Sequence, residues 1–235
     1  MSNENRNEDK LILFDWGGIV DSIDYDNKYC YTRLYCDALR FSFDLPDDYT
    51  DKMLWEYLNS HEYYMTSHDA PNEVIFDTMC RDIFSELQTA DLHTAIELYK
   101  EYTLSHQYKV AHWRDIIGLE YDALNQCKCG IMSDLSWLDG HRIAYQIGLD
   151  KFDYVFLSYA VGCTKRAGDL FAHVNREIGR GKLDVLLIDD MSENLEKAEQ
   201  LGWSVYLAKE HDYKGIKSVI NQFLNSPRIQ QEYSA

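Results

Sequence analysis

LLIDDMSENLEKAEQLGW, residues 186–203, is one complete unit of an alternating α/β chain. The apolar run through Ile188 stops on the paired carboxylates Asp189 and Asp190, and from Glu193 to Leu201 apolar positions return at helical spacing until Gly202 closes the segment. The same grammar recurs elsewhere. Short buried strands are expected at Leu11–Phe14, Gly130–Met132, Tyr154–Leu157, Val185–Ile188 and Val205–Leu207, and a second amphipathic helix at Gly168–Ile178, closing on Gly179. Strand and helix alternating in this way need crossover connections. The expected fold is therefore α/β, a three-layer α/β/α Rossmann-like parallel sheet with both faces covered.

Residues 28–126 read differently. They show helical periodicity without a strand pattern, with Pro46 and Pro71 as breakers and many Tyr, Trp and Glu, so they are read as a helical insert after the first strand. The expected division is a core made of 11–27 and 127–225, a helical unit at 28–126, and tails at 1–10 and 226–235.

The chain has 235 residues with 23 Lys plus Arg against 40 Asp plus Glu, a net charge of −17. Nucleic-acid binding needs a basic surface to displace counterions, so that class of partner is excluded. With 46% apolar and 14% aromatic residues there is ample material for a core. No apolar stretch is long enough to span a membrane, and MSNENRNEDK lacks the basic and apolar regions of a signal peptide, so a soluble cytoplasmic protein with no membrane partner is expected. The six cysteines (Cys30, Cys36, Cys80, Cys127, Cys129, Cys163) form no C-x-x-C, and the Cys127-x-Cys129 pair reads as small hydrophobes at the start of a buried strand.

In a parallel sheet, ligands collect at the carboxyl ends of the strands. This sequence places Asp15, Ser133 with Asp134, Thr164 with Lys165, and Asp189 with Asp190 there. Taken singly, a strand-end Asp is more often a turn former or helix cap. Here four consecutive strand ends each supply a suitable group. Carboxylates, hydroxyls and an ammonium on one edge suit a hard divalent cation and an anionic substrate such as a phosphate, with one carboxylate free to act as nucleophile. Adjacent carboxylates such as Asp189 and Asp190 at a buried strand end call for a cation to offset their repulsion.

LILFDWGGIVD (11–21), GIMSD (130–134), GCTKRAGDLF (162–171) and LLIDDMSENLEKAEQLGW together resemble, in order, the four motifs of the haloacid dehalogenase-like hydrolases. The fourth stretch is similar to that of the glucose-1-phosphatase-like sugar phosphatases, and the 28–126 insert resembles the family's helical cap of the first type. The resemblance implies a Mg²⁺-dependent phosphatase (a phosphoric monoester hydrolase) acting on a small phosphorylated metabolite, with sugar phosphates favoured. Asp15 would be the nucleophile, forming an aspartyl phosphate. Ser133 and Lys165 would hold the phosphoryl group, with Gly18 and Asp134 beside it. Asp15, the carbonyl of Gly17 and Asp190 would bind Mg²⁺, with Asp189 supporting the metal and Asn194 a positioning residue.

Three departures from the pattern bear on mechanism. Most family phosphatases carry an acid two residues after the nucleophile, where this chain has Gly17; Asp21, Asp24 or Asp134 could supply the proton instead, or the substrate could have a good leaving group. Lys165 is followed by Arg166 rather than Pro, read as a solvated side chain at a helix start. Asp134 stands where Asn is usual, and a carboxylate beside a phosphate would repel it unless it faces the metal or is protonated. The alternatives are a catalytically weak or inactive module binding a phosphometabolite or a protein, and a hydrolytic dehalogenase, against which Asp189-Asp190 argues because that reaction needs no metal.

Other signals are bland. Gly179–Lys182 lacks phosphate-loop spacing and reads as a turn. His61, His68, His93, His106 and His112 are scattered through the insert. Tyr25 with Tyr29 and Tyr31 with Tyr35 read as packing pairs, and Trp16 as packing or a substrate contact. Oligomeric state and the identity of the substrate are not encoded in any pattern recognised.

Overall fold

Five apolar runs pair into one parallel sheet. The computed structural model describes residues 6–17, 19, 37–42, 91–105, 125–135, 149–209 and 212–227. The strands are β1 (Asn7–Phe14), β2 (Cys127–Ser133), β3 (Tyr154–Leu157), β4 (Asp184–Asp189) and β5 (Ser204–Leu207), in the order β3-β2-β1-β4-β5. Every neighbouring pair is parallel. The helices are α1 (Leu92–Ser105), α2 (Ser158–Val161), α3 (Asp169–Glu177), α4 (Ser192–Gln200) and α5 (Tyr213–Asn225). All five expected strands and both expected core helices are present, in the Rossmann-like arrangement read from the sequence. The strand order reverses between β1 and β4, which opens a crevice at their carboxyl ends.

The continuous run of Leu11 to Phe14 is explained by burial on both sides. Ile12 and Phe14 join Cys127, Cys129, Ile131, Leu186 and Ile188 in one cluster, covered by Ile216, Ile220 and Phe223 of α5. Leu11 and Leu13 face the opposite cluster with Met132, Val185 and Leu187, covered by Leu170, Phe171 and Val174 of α3 and Leu195 and Ala198 of α4. Successive strand residues alternate between faces, so both sides must be apolar when helices lie on both. Gly130 permits close packing within β2, where a Cβ would sit 2.7 Å from the carbonyl oxygen of Tyr154 and 2.9 Å from Leu13 Cδ2.

The stretch read as an N-terminal tail is partly strand. β1 starts at Asn7, and its first three residues are exposed while Lys10 is buried. The Lys10 ammonium reaches the end of α5, donating to the carbonyl of Phe223, to Leu224 O at 3.2 Å and to Ser226 O at 2.7 Å, above the Phe223 ring. Arg6 donates to the Cys127 carbonyl from Nε and Nη2 at 3.0 and 2.9 Å and pairs with Asp153. Asp153 also accepts the Cys129 N–H at 2.9 Å, so the start of the β2–β3 pairing is tied to the chain ahead of β1. Charge outweighed hydropathy in the sequence reading here, because Lys10 is buried and Arg6 half-buried against partners distant in the chain.

Within the insert, residues 37–42 and α1 are helical, and the rings of Phe41 and Tyr102 lie 5.3 Å apart. Apart from residues 91 and 125–126, the rest of it lies outside the described residues, as do Cys30, Cys36, Cys80, His61, His68, His106, His112 and the four tyrosines singled out above. Described His93 is exposed. Cys127 and Cys129 are buried free thiols in β2. Gly179–Lys182 is a turn, closed by the Lys182 N–H on the Gly179 carbonyl at 2.9 Å, with Gly179 and Gly181 at φ 75° and 67°.

Candidate active site

Asp15 sits one residue beyond β1, and its N–H still bonds to the Ile188 carbonyl at 2.9 Å, which fixes the backbone from which its side chain projects. Its Oδ1 accepts from the Trp16 N–H at 2.7 Å, from Ser133 Oγ at 2.7 Å and from Lys165 Nζ at 2.8 Å. All three bonds fall on one oxygen. Burial raises the Asp15 pKa to about 6; the Lys165 ammonium opposes that shift and the nearby Asp189 adds to it.

Ser133 is the last residue of β2 and is buried. Lys165 comes from the loop between α2 and α3 and is only 2% exposed. Its ammonium lies between Asp15 and Asp189, 2.7 Å from Asp189 Oδ2. Burial works against that charge, but the two carboxylates outweigh it, and the Lys165 pKa stands above the usual lysine value.

Asp189 ends β4 and has no exposed surface. Besides Lys165 it accepts the Met191 N–H at 2.9 Å and the Asn194 amide at 3.0 and 3.2 Å. Both its oxygens are thereby engaged. Asp190 is different. It is exposed at the mouth of the crevice, and desolvation, then the neighbouring Asp189, raises its pKa. Carboxylate oxygens of Asp15, Asp189 and Asp190 lie within 4.8 Å of one another. A hard divalent cation suits this all-oxygen donor set.

Asp134 points its carboxylate at backbone. Its oxygens accept the N–H groups of Lys165 at 2.8 Å and Arg166 at 3.3 Å, and burial raises its pKa against those bonds. Thr164 serves the loop as well, its N–H bonding to Asp169 at 2.7 Å and its Oγ1 accepting from Ala167 at 3.0 Å. Arg166 is exposed. Trp16 is 2% exposed within the cluster under α5, which is the packing alternative. A Cβ built on Gly17 would meet no atom within 4 Å. Gly18, Asp21 and Asp24 lie outside the described residues.

Sequence reasoning missed Lys197. From α4 it donates to the carbonyls of Lys165 at 2.7 Å and Arg166 at 3.1 Å. Its spacing from Asn194, three residues along a helix, was the available signal.

No family model and no curated relative matches this chain. Solved structures do. A HAD-family enzyme from Bacteroides thetaiotaomicron matches with a TM-score of 0.61 at 14% identity over 87% of this chain and 96% of that one. The fold is that of the HAD-family hydrolases. The same enzyme in complex with magnesium and inorganic phosphate matches with a TM-score of 0.58 at 16% identity, covering 86% of this chain and 95% of that one. A 2-haloacid dehalogenase from Pseudomonas syringae pv. Tomato shares the HAD-like fold with a TM-score of 0.60 at 15% identity, covering 91% and 99%. The likeness thus spans members with different chemistry on one architecture.

Proposed function

We propose that the chain is a Mg²⁺-dependent phosphatase of a small phosphorylated metabolite, most suitably a sugar phosphate, working through an aspartyl phosphate on Asp15. One observation carries this reading: Trp16, Ser133 and Lys165 all hold the Oδ1 of Asp15, and carboxylate oxygens of Asp15, Asp189 and Asp190 come within 4.8 Å of one another. Asp15, Asp190 and the Gly17 carbonyl would hold the cation, and Asp189, its oxygens taken by Lys165, Met191 and Asn194, supports from behind. The Bacteroides enzyme, similar in fold, is solved in complex with magnesium and inorganic phosphate, which supports the choice of cation. Bound there, the cation would neutralise charge on the phosphoryl oxygens and on the attacking carboxylate.

In the first step a carboxylate oxygen of Asp15 forms a bond to phosphorus as the bond to the leaving oxygen breaks; that oxygen departs with the bonding pair and takes a proton from water or from a nearby acid. In the second, water attacks phosphorus, the bond to Asp15 breaks, and inorganic phosphate and the free carboxylate result, with the water's proton released to solvent. Lys165 and Ser133 bind the phosphoryl oxygens throughout. The 28–126 insert, helical where described, would form the cap that closes over the substrate and selects it.

Gly17 favours a second reading. General acid–base catalysis is worth about 10²–10⁴ in rate, and a chain lacking a side chain there could be a weak catalyst that chiefly binds a phosphometabolite. A dehalogenase would leave the Asp189-Asp190 pair without a cation to serve. Phosphate release from a panel of sugar phosphates and p-nitrophenyl phosphate decides between these readings, measured with Mg²⁺ or EDTA for the native protein and Asp15→Asn. Metal-dependent release lost in the variant is the expected result. No release, with a Mg²⁺- or phosphate-induced rise in Tm, would put the binding module in its place.

A further inference from the structure

The loop that carries Lys165 is a turn closed by the Gly168 N–H on the carbonyls of Thr164 and Lys165 at 3.1 and 3.0 Å, and nothing in that turn ties it to the two carboxylates, at the ends of two other strands, between which its ammonium must sit. A flexible four-carbon side chain on a free loop would not hold that place, because each rotatable bond and each loose peptide adds freedom that a hydrogen bond must remove. The structure removes it at the backbone. Asp134, next after β2, accepts the N–H groups of Lys165 and Arg166 at 2.8 and 3.3 Å. Lys197, from α4, donates to the carbonyls of the same two residues at 2.7 and 3.1 Å. Two charged side chains from different elements thus take the donors and the acceptors of one dipeptide.

The same two elements hold the partners of that ammonium. Ser133, adjacent to Asp134, bonds to Asp15 at 2.7 Å. Asn194, one helical step before Lys197 on the same face of α4, bonds to Asp189 at 3.0 Å. The end of β2 and one face of α4 therefore each grip a carboxylate and the lysine loop together, and a shift of either would move both ends of the Lys165 ion pairs in concert.

We propose that Asp134 and Lys197 are positioning residues that set the place of the Lys165 ammonium by clamping the Lys165–Arg166 backbone. The proposal rests on reading Asp15, Lys165 and Asp189 as the reacting centre, and it gives Asp134 a task other than contact with the substrate. It also makes α4 more than a cover for the sheet: the helix that follows the metal-binding pair sets the geometry of the cation opposite.

Two readouts on the full chain test it. In protein labelled with ¹⁵N-lysine, an ammonium buried between two carboxylates exchanges slowly with water and gives its own signal, assigned by its loss in Lys165→Met. That signal is expected to shift or broaden in Lys197→Met and in Asp134→Ala, and to return in Lys197→Arg. In parallel, kcat/KM for p-nitrophenyl phosphate with Mg²⁺ is expected to fall about ten- to a hundredfold in Lys197→Met and Asp134→Ala, more through kcat than KM, with recovery in Lys197→Arg. A native-like ammonium signal in both variants, the lack of a slowly exchanging signal in the native protein, or a native kcat/KM in both variants with only a lower Tm would overturn the proposal. Should the native protein release no phosphate at all, the phosphatase reading falls, while the ammonium signal still judges the clamp.

Discussion

Asp15 is buried and Gly17, two residues on, has an open Cβ position, and each gives a prediction. The folded-state pKa is raised by burial to about 6 from 3.8, so between those values the metal-free folded protein binds more protons at this site than the unfolded chain. Stability then falls as pH rises through that window and levels off above it. Asp134 and Asp190, both raised by desolvation, add to it with the same sign. Without metal, Tm measured between pH 4 and 7.5 should decline more steeply for the native protein than for Asp15→Asn, and parallel curves would refute this. The second concerns Gly17, whose Cβ position is open and whose φ is not among the positive ones. Gly17→Asp should fold with a Tm near native and, by supplying an acid beside the leaving group, raise kcat for poor leaving groups about tenfold or more. An unchanged rate would mean that another group or the substrate already meets that need.

At the scale of elements, α5 depends on a lysine far from it in sequence. Helix ends leave carbonyls without intrahelical partners, and a cation there both donates to them and offsets the helix dipole. Lys10 does this for the carbonyls of Phe223, Leu224 and Ser226 from inside the protein. Lys10→Met keeps the apolar stem but removes the ammonium's bonds to these carbonyls, of which Phe223 O keeps Ser226 as a donor, so it should cost about 1.5–3 kcal/mol, read as a lower urea midpoint with m unchanged. Lys10→Arg should recover part of it. The start of α5, by contrast, is capped locally, by Asp212. Asp212 accepts the Gly215 N–H at 2.9 Å and the Tyr206 hydroxyl at 2.6 Å, which holds its carboxyl below the usual carboxylate range.

In a chain of net charge −17, three carboxylates, Asp15, Asp189 and Asp190, converge within 4.8 Å of one another. A divalent cation should relieve their repulsion. At a hundred times its Kd, Mg²⁺ should add about 2.7 kcal/mol, or roughly 5–10 °C in Tm for a chain of this size, and Asp190→Asn should abolish most of the shift; a full shift in that variant would remove Asp190 from the metal site. The sheet, its parallel sense and the strand ends bearing chemistry were legible in the sequence because apolar runs and helical spacing are local patterns. Asp15, Ser133, Lys165 and Asp189 were legible for the same reason, each standing at a strand end or in the loop after one. Lys10, Arg6 and Lys197 were not, and Asp134 was read at the right strand end but not as a partner of the Lys165–Arg166 backbone. Their residue types predict solvent, and their partners lie up to 216 positions away. The sequence by itself determined which elements form and which groups reach the carboxyl edge, since backbone period and hydrophobicity act over neighbours. Only the tertiary structure decided which oxygen of Asp15 takes three bonds, which carboxylate of the pair is saturated, and what holds Lys165 in place. Those depend on hydrogen bonds between segments that meet only once the sheet has assembled.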